Sequence, residues 1–340
     1  MTHLNIYTQE EVLQFVNTRN GEKKFGEKVL TISKSNNLDE ELINSKAKYV
    51  LFGIQESIGV KANKGIQGTE TAWKTCLNSL LNTQNNSYNK GKKILLLGYL
   101  DFSGFMHKAE KLDSNNQEDL KALYRLVDDI DTEVSNLVYK IVKAGKIPII
   151  IGGGHNNAYG NIKGTSLALN KAINAINFDA HTDFRALEGR HSGNGFSYAF
   201  QEGFLNKYFV FGLHENYTSK KVFNEMNALH DHINFNTFEA IAIRKENSFN
   251  AEIEYAHSFV KSDKYGVEID LDAIQGVASS AMTPSGFSVN ETRQFLSRVA
   301  NSKKVAYLHL CEAAPSLSNG NEKQIGKVLS YLITDFIRAN

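Results

Sequence analysis

Histidine and aspartate residues follow three apolar segments of the sequence, at spacings that could bind metal ions. The three stretches are residues 149–157, 177–185 and 266–272. In the first, isoleucines lead into three glycines and a histidine, and in the other two acidic residues alternate with other types. Alternate side chains of a strand point to one face, so each acidic stretch would place its carboxylates together. The six candidate ligands are His155, Asp179, His181, Asp183, Asp270 and Asp272.

Four carboxylates and two imidazoles form a hard, mixed oxygen–nitrogen ligand set. Carboxylates brought together need compensation from cations or a shared proton, and four negative charges balance two divalent ions. Such a set suits Mn²⁺, with Fe²⁺, Co²⁺ or Zn²⁺ as alternatives, whereas a structural zinc site would favour cysteine. Two ions that share a water lower its pKa towards neutrality, which yields a hydroxide nucleophile. Taken singly, the three stretches could instead be a tight turn, a solvated acidic loop and a charged edge strand.

Short apolar and β-branched runs recur along the chain and predict buried strands. They lie at Tyr49–Ile54, Lys93–Gly98, Ile147–Ile151, Ala172–Phe178, Tyr208–Leu213, Tyr265–Leu271 and Val305–Leu310. Apolar residues spaced by threes and fours predict a helix over Leu120–Ala144, and the tail Ile325–Ile337 reads as a closing helix. This alternation predicts an α/β fold with a parallel sheet covered on both sides, whose ligand site lies beyond the carboxyl ends of the strands.

The overall composition excludes several other classes of protein. The 340-residue chain has 38 basic and 37 acidic residues, which gives no electrostatic signature for nucleic acid or an acidic membrane. No apolar stretch is long enough for a membrane span, and the two cysteines cannot build a disulfide framework. The N-terminal residues do not read as a signal peptide. We therefore expect a cytoplasmic protein without a nucleic-acid or membrane partner.

The order of the motifs resembles the ureohydrolase family, which comprises arginase, agmatinase and formimidoylglutamase. The resemblance is carried by Gly-Gly-Gly-His at 152–155, Asp-Ala-His-Thr-Asp at 179–183 and Asp-Leu-Asp at 270–272. It implies a three-layer α/β/α fold with a mainly parallel eight-stranded sheet. This fold would form one catalytic domain over residues 1–340, with the first 40 or so residues peripheral. It also implies a homo-oligomer, either a trimer or a hexamer.

By the same resemblance, each chain would bind two Mn²⁺ ions. One ion would be held by His155, Asp179, Asp183 and Asp270, and the other by Asp179, His181, Asp270 and Asp272. One departure from the family concerns Glu268, which stands where many members carry a small residue. Glu268 shares the strand face of Asp270, so it either supports the metal ligands or is an extra acid that points away.

Residues beyond the metal ligands indicate the substrate. Glu312, in Glu-Ala-Ala-Pro, resembles the family glutamate that holds a cationic amidine group. Arg185 and the loop 191–196 resemble formimidoylglutamase more than arginase, and an arginine suits a dianionic substrate tail. The predicted substrate-binding residues are Arg185, Arg190, Asn194 and Glu312, and the predicted catalytic residues are Asp183, His191 and Glu312. Either arginine could instead form a surface ion pair.

The leading hypothesis is hydrolysis of the formimino C–N bond of N-formimidoyl-L-glutamate by a metal-bridging hydroxide. The products would be L-glutamate and formamide, as in histidine degradation. Asp183 would take up the proton of the nucleophile, and His191 would relay protons. The alternatives are an arginase-like or agmatinase-like guanidino hydrolase that releases urea, and a catalytically silent member that binds an amino acid. A dinuclear metallophosphoesterase is disfavoured because its later Gly-Asn-His-Glu/Asp element is missing from the sequence.

Overall fold

Nine strands form one sheet in the computed structural model, which describes residues 2–34 and 37–340. The strands are β1 (Leu4–Ile6), β2 (Tyr49–Gln55), β3 (Ile94–Asp101), β4 (Ile147–Ile151), β5 (Ile173–Phe178), β6 (Leu205–Leu213), β7 (Ile233–Thr237), β8 (Tyr265–Asp270) and β9 (Val305–Cys311). Their order across the sheet is β1-β3-β2-β4-β9-β8-β5-β6-β7. The central strands β4, β5, β8 and β9 are buried, apart from Ile147 at the start of β4, because helices cover both faces of the sheet. This burial explains their continuous apolar runs.

Eight of the nine strands, β2 to β9, are parallel, so the mainly parallel sheet is confirmed. The predicted count of eight strands is short by one, because β1 adds to the edge of the sheet, antiparallel to β3. The three residues of β1 have no apolar run that could have signalled a strand. Residues near the N-terminus also reach the interior, since the side chains of Val12 and Phe25 are fully buried in the core.

Helices cover both faces of the sheet and complete the predicted three-layer α/β/α arrangement. The α-helices are α1 (Gln9–Leu13), α2 (Leu38–Asn44), α3 (Ile58–Ala62), α4 (Ala72–Leu80), α5 (Ser103–Glu110), α6 (Gln117–Lys143), α7 (Asn157–Leu169), α8 (Gly195–Gln201), α9 (Lys220–Ala228), α10 (Phe249–Val260), α11 (Val289–Val299) and α12 (Glu322–Ala339). Helices α4, α10, α11 and α12 pack on one face, and α6, α7 and α8 pack on the other. Throughout the described ranges, no helix combines the length and apolar character that a bilayer span requires.

The predicted helices α6 and α12 form close to the expected bounds. Helix α6 begins where the Asn116 side chain accepts hydrogen bonds from the backbone N–H groups of Glu118 and Asp119. It ends before Gly145, whose φ of +74° is left-handed. The apolar stripe between these caps is buried against the sheet and α7.

The carboxyl ends of β4, β5, β8 and β9 lie side by side, because these four parallel strands are neighbours in the sheet. The loops that follow the four strands therefore emerge together.

Candidate metal centre

A glycine turn after β4 presents His155 to the carboxyl end of the sheet. Gly153 has a left-handed φ of +70°, and a Cβ there would lie 2.3 Å from Asn157 Nδ2. Glu56, which follows β2, accepts hydrogen bonds from Gly154 N at 2.9 Å and Asn157 Nδ2 at 2.7 Å. This buried carboxylate fixes the turn, and therefore the position of His155. Glu56 was not predicted from the sequence. The sequence pattern that could have indicated it is an acidic residue directly after a buried strand.

The Asp-Ala-His-Thr-Asp segment converges through a loop and not through strand alternation. The predicted strand ends at Phe178, as β5 does, so the alternation of side chains along a strand does not apply to the residues that follow. His181 N then donates to Asp179 Oδ1 at 2.7 Å, which folds the chain back on itself. Asp183 adopts a left-handed φ of +43°, and its Oδ2 lies 2.7 Å from Nδ1 of His155. The loop thus brings the two carboxylates to the same imidazole.

The Asp-Leu-Asp segment shows a similar local device. Asp270 is the last residue of β8, and its Oδ1 accepts a hydrogen bond of 2.8 Å from Asp272 N. A short 3₁₀ turn over residues 271–273 follows, so Asp272 is also placed by a turn. Its Oδ2 lies 3.2 Å from Nδ1 of His181.

All six predicted metal ligands meet in two adjoining groups. In the first group, Nδ1 of His155 lies 3.2 Å from an Asp179 oxygen, 2.7 Å from Asp183 and 3.1 Å from Asp270. The second group contains Asp179, His181 and Asp272. Within each group, one donor atom per residue lies within 4.8 Å of every other. Among the described residues, both ring nitrogens of His155 and Oδ1 of Asp272 are buried without a hydrogen-bond partner, so the donor set fits divalent metal ions.

The electrostatics of the two groups also favour bound cations. Burial raises the pKa of Asp183 to about 6, and the neighbouring charge of Asp179 adds to the rise. Burial and the charges of Asp272 and Asp179 raise the pKa of Asp270 well above its usual range. Burial also acts on Asp179, but the neighbouring imidazoles of His155 and His181 outweigh burial and lower its pKa. Crowded, buried carboxylates of this kind are stabilised in their ionised form by nearby positive charge.

Glu312 lies beside the two groups, directly after β9. It adopts a left-handed φ of +61°, and its Oε1 accepts a hydrogen bond of 2.5 Å from His155 N. Its Oε2 is buried without a hydrogen-bond partner. Burial raises the pKa of this carboxyl to about 8. A cationic ligand group would satisfy the free oxygen and favour the carboxylate form.

One cavity of about 460 Å³ opens onto these residues. We define its floor as the six candidate metal ligands together with Glu312; all of these line the cavity except His155 and Asp179, which contact the lining residues from behind. We define its rim as seven of the other lining residues, which are Asn63, Arg185, Ser192, Gly193, Tyr217, Thr218 and Ser219. The floor is acidic and almost entirely buried, whereas Arg185 at the rim is 51% exposed. The Arg185 guanidinium donates to Asn63 Oδ1 at 2.8 Å and to Glu188 Oε1 at 2.9 Å.

Arg190 and Asn194, both predicted to bind substrate, are not among the described residues that line the cavity. Arg190 is 3% exposed, and its guanidinium binds Asp131 of α6 at 2.8 Å and Asn194 at 2.5 Å. Asn194 is fully buried and also donates to Gly189 O at 2.7 Å. These contacts hold the loop from Arg185 to Asn194 in place. The substrate contact of Arg190 and Asn194 stays a prediction.

His191, predicted to relay protons, is also buried behind the rim. Its Nδ1 accepts a hydrogen bond from Gly193 N, and its Nε2 lies 3.1 Å from Glu188 Oε1. Burial and the charge of Arg185 lower its pKa to about 4. The imidazole is therefore neutral near pH 7, and it reaches the rim through Glu188. Its proposed relay function stays a prediction.

Residues 48–334 match the model of the arginase family. Among curated proteins, the chain is 27% identical over 201 residues to the formimidoylglutamase of Geobacillus thermodenitrificans, which covers 56% of this chain and 60% of that protein. It is 29% identical over 190 residues to the formimidoylglutamase of Chromobacterium violaceum, with 52% and 59% covered. The matched region thus spans about three-fifths of the length of these relatives.

Solved structures share the fold. A formimidoylglutamase from Bacillus subtilis superposes with a TM-score of 0.73 at 17% identity, covering 95% of this chain and 93% of that one. A formiminoglutamase from Trypanosoma cruzi, solved with Mn²⁺, gives a TM-score of 0.70 at 18% identity and covers 94% and 98%. The three-layer architecture of the chain is therefore that of known enzymes.

Proposed function

The chain belongs to the arginase family, and we propose that it hydrolyses N-formimidoyl-L-glutamate to L-glutamate and formamide. One observation carries the proposal: an acidic floor suited to metal ions and an amidinium group shares a cavity with Arg185 at its rim. The formimidoylglutamases among its relatives support the choice of substrate. By family resemblance, we further propose that the protein acts in the cytoplasm as a trimer or hexamer.

The floor would bind two Mn²⁺ ions per chain. His155, Asp179, Asp183 and Asp270 would hold one ion, and Asp179, His181, Asp270 and Asp272 the other. The six side chains provide four negative charges for two divalent ions, and the Mn²⁺-containing relative supports the choice of metal. Bound there, two ions would polarise the substrate and supply an activated water near neutral pH.

Two side chains of the cavity would orient the substrate and transfer protons. Glu312, with one free oxygen, would orient the formimino group. Asp183 would accept a proton from the attacking water and pass it to the departing nitrogen. A C–O bond forms at the formimino carbon, and the bond from that carbon to the glutamate nitrogen breaks. The amine thus leaves protonated, while the formimino nitrogen remains in formamide.

The rim would select the tail of the substrate. Arg185 lies at the cavity mouth with its guanidinium only partly occupied by Asn63 and Glu188. N-formimidoyl-L-glutamate carries two carboxylates, and an exposed guanidinium pairs well with such a tail. Arginine and agmatine lack this dianionic tail. Glu312 suits a guanidinium as well as a formimino group, so a guanidino hydrolase is the second candidate.

The test is formamide release from N-formimidoyl-L-glutamate by protein loaded with Mn²⁺. We expect turnover that a chelator abolishes and added Mn²⁺ restores. Arginine and agmatine, assayed for urea in parallel, should react at least about a hundredfold more slowly, which corresponds to about 2.7 kcal/mol. Urea release without formamide release would shift the function to a guanidino hydrolase. Two bound metal ions without turnover of any of the three would favour the amino-acid-binding alternative.

A further inference from the structure

A buried carboxylate that this mechanism does not use lies directly beneath the metal centre. On the adjoining strands β8 and β9, Glu268 pairs with His309, and two residues further along Asp270 pairs with Cys311. Side chains two residues apart share a strand face, so Glu268 lies on the same face as Asp270. The sequence left two interpretations of Glu268 open. The strand register excludes the one in which Glu268 points away from the site.

The surroundings of Glu268 accommodate its charge. Tyr307 Oη donates to its Oε1 at 2.7 Å, and His309 Nδ1 lies 2.6 Å from its Oε2. All three side chains are fully buried. Gly266 makes room for this arrangement, because a Cβ there would lie 2.2 Å from Cζ of Tyr307.

Glu268 faces the metal ligand His155 from the side opposite the metal centre. Its Oε2 lies 3.6 Å from His155 Nε2, while Nδ1 of the same ring faces Asp179, Asp183 and Asp270. Neither ring nitrogen of His155 has a hydrogen-bond partner among the described residues. A histidine that binds metal through one nitrogen needs its proton on the other, and a carboxylate facing that nitrogen favours this tautomer.

We propose that Glu268 is a positioning residue for the metal centre, which keeps the His155 imidazole oriented with Nδ1 towards the first metal ion. Tyr307 and His309 in turn hold the Glu268 carboxylate. The inference rests on the metal site of the proposed function, but it does not depend on the substrate. If the protein binds Mn²⁺ but hydrolyses none of N-formimidoyl-L-glutamate, arginine and agmatine, the proposed substrate is refuted. The inference about Glu268 is unaffected by that result.

The experiment is a titration of metal-free protein with MnCl₂, followed by electron paramagnetic resonance of the free ion. Glu268→Gln keeps the size of the side chain and removes its charge. We expect it to weaken one Mn²⁺ site by about 10–100-fold, the usual range for the loss of a group that orients a metal ligand. Tyr307→Phe is the matched control, because it removes one donor to Glu268 and leaves the carboxylate in place; its effect should be under about threefold.

A double-mutant cycle separates positioning from general packing. If Glu268 acts through His155, Glu268→Gln should cause no further loss of Mn²⁺ affinity in a His155→Asn background. Additive losses, equal weakening of both sites, or unchanged Mn²⁺ affinity in Glu268→Gln would overturn the inference. Should Glu268→Gln not fold, Glu268→Asp keeps the charge but withdraws the carboxylate from His155. The same non-additivity with His155→Asn is then required.

Discussion

The floor and the rim of the cavity are built in different ways, although they enclose the same space. Floor residues stand on or just after four neighbouring central strands, and backbone N–H groups fix several of their carboxylates. Rim residues stand on loops, and Arg185 depends on two side-chain contacts at the surface. Buried, crowded charges resist substitution, whereas an exposed ion pair contributes little to stability. The floor is therefore suited to invariant chemistry and the rim to selection among substrates.

The largest effect is expected in the floor, from Asp270→Asn. The substitution removes a negative charge from a residue that would hold both metal ions, so both ions should bind more weakly. We expect Mn²⁺ content to fall well below two per chain and kcat/KM to fall at least about a thousandfold, or about 4 kcal/mol. Metal analysis and the formamide assay measure both quantities. Full activity of metal-depleted Asp270→Asn would refute the proposed mechanism.

The buried ion pair of Arg190 and Asp131 lies behind the rim. Its loss should lower the stability of the fold and leave the catalytic steps unchanged. Arg190→Met leaves the buried carboxylate of Asp131 without its guanidinium, which should lower the free energy of unfolding by about 3–5 kcal/mol. The double variant Arg190→Met/Asp131→Leu removes both charges and should recover most of that loss. Urea denaturation measures the change. An increase in KM for Arg190→Met at unchanged stability would instead support the prediction that Arg190 contacts the substrate.

Glu312→Gln should affect chemistry while leaving the metal ions bound. The amide cannot pair with a cationic formimino group, so kcat/KM should fall about a hundredfold, or about 2.7 kcal/mol. Mn²⁺ content should stay at the wild-type level because Glu312 is not one of the six ligands. Loss of metal together with activity would show that Glu312 belongs to the metal site and not to the substrate site.

The same contrast explains what the sequence could predict. An apolar run followed by acidic residues identifies a buried strand end, so the six candidate ligands and their place at one edge of the sheet were predictable from local patterns. The rim depends on long-range partners: Arg190 is buried because Asp131, 59 residues earlier, faces it from α6. Loop geometry was equally hidden, since the left-handed φ of Asp183 has no local signature.

A smaller effect concerns the pH dependence of the metal-free protein. The Glu312 pKa is about 8 in the folded state against an ordinary value of 4.5, so folding takes up a proton between these values. Stability should therefore fall as pH rises from 6.5 to 8, by at most about 1.4 kcal/mol per pH unit for this group. The raised pKa values of His155 and His181 have the same sign in this range.

Denaturation of chelator-treated protein at several pH values tests this expectation. Glu312→Gln should flatten the decline, and Mn²⁺ should stabilise the wild type more at pH 8 than at pH 6.5 because the metal ions compensate the carboxylates. A stability of the metal-free wild type that rises over this range would contradict the assigned shifts.

The smallest effect is expected at the rim, where Arg185→Ala should change selection and little else. Arg185 is half exposed, and its guanidinium pairs with Asn63 and Glu188 alone among the residues that the structure describes. Its removal should therefore leave the unfolding free energy within about 0.5 kcal/mol of wild type. KM for N-formimidoyl-L-glutamate should rise about tenfold with kcat unchanged, because a tail contact that is equal in ground and transition states affects binding alone. Lys at this position should recover part of the affinity through charge but not the bidentate geometry. Steady-state kinetics of the two variants decide between this role and a surface ion pair, for which KM would not change. A fall in kcat at constant KM would instead place Arg185 with the floor, and the division of the cavity into chemistry and selection would fail.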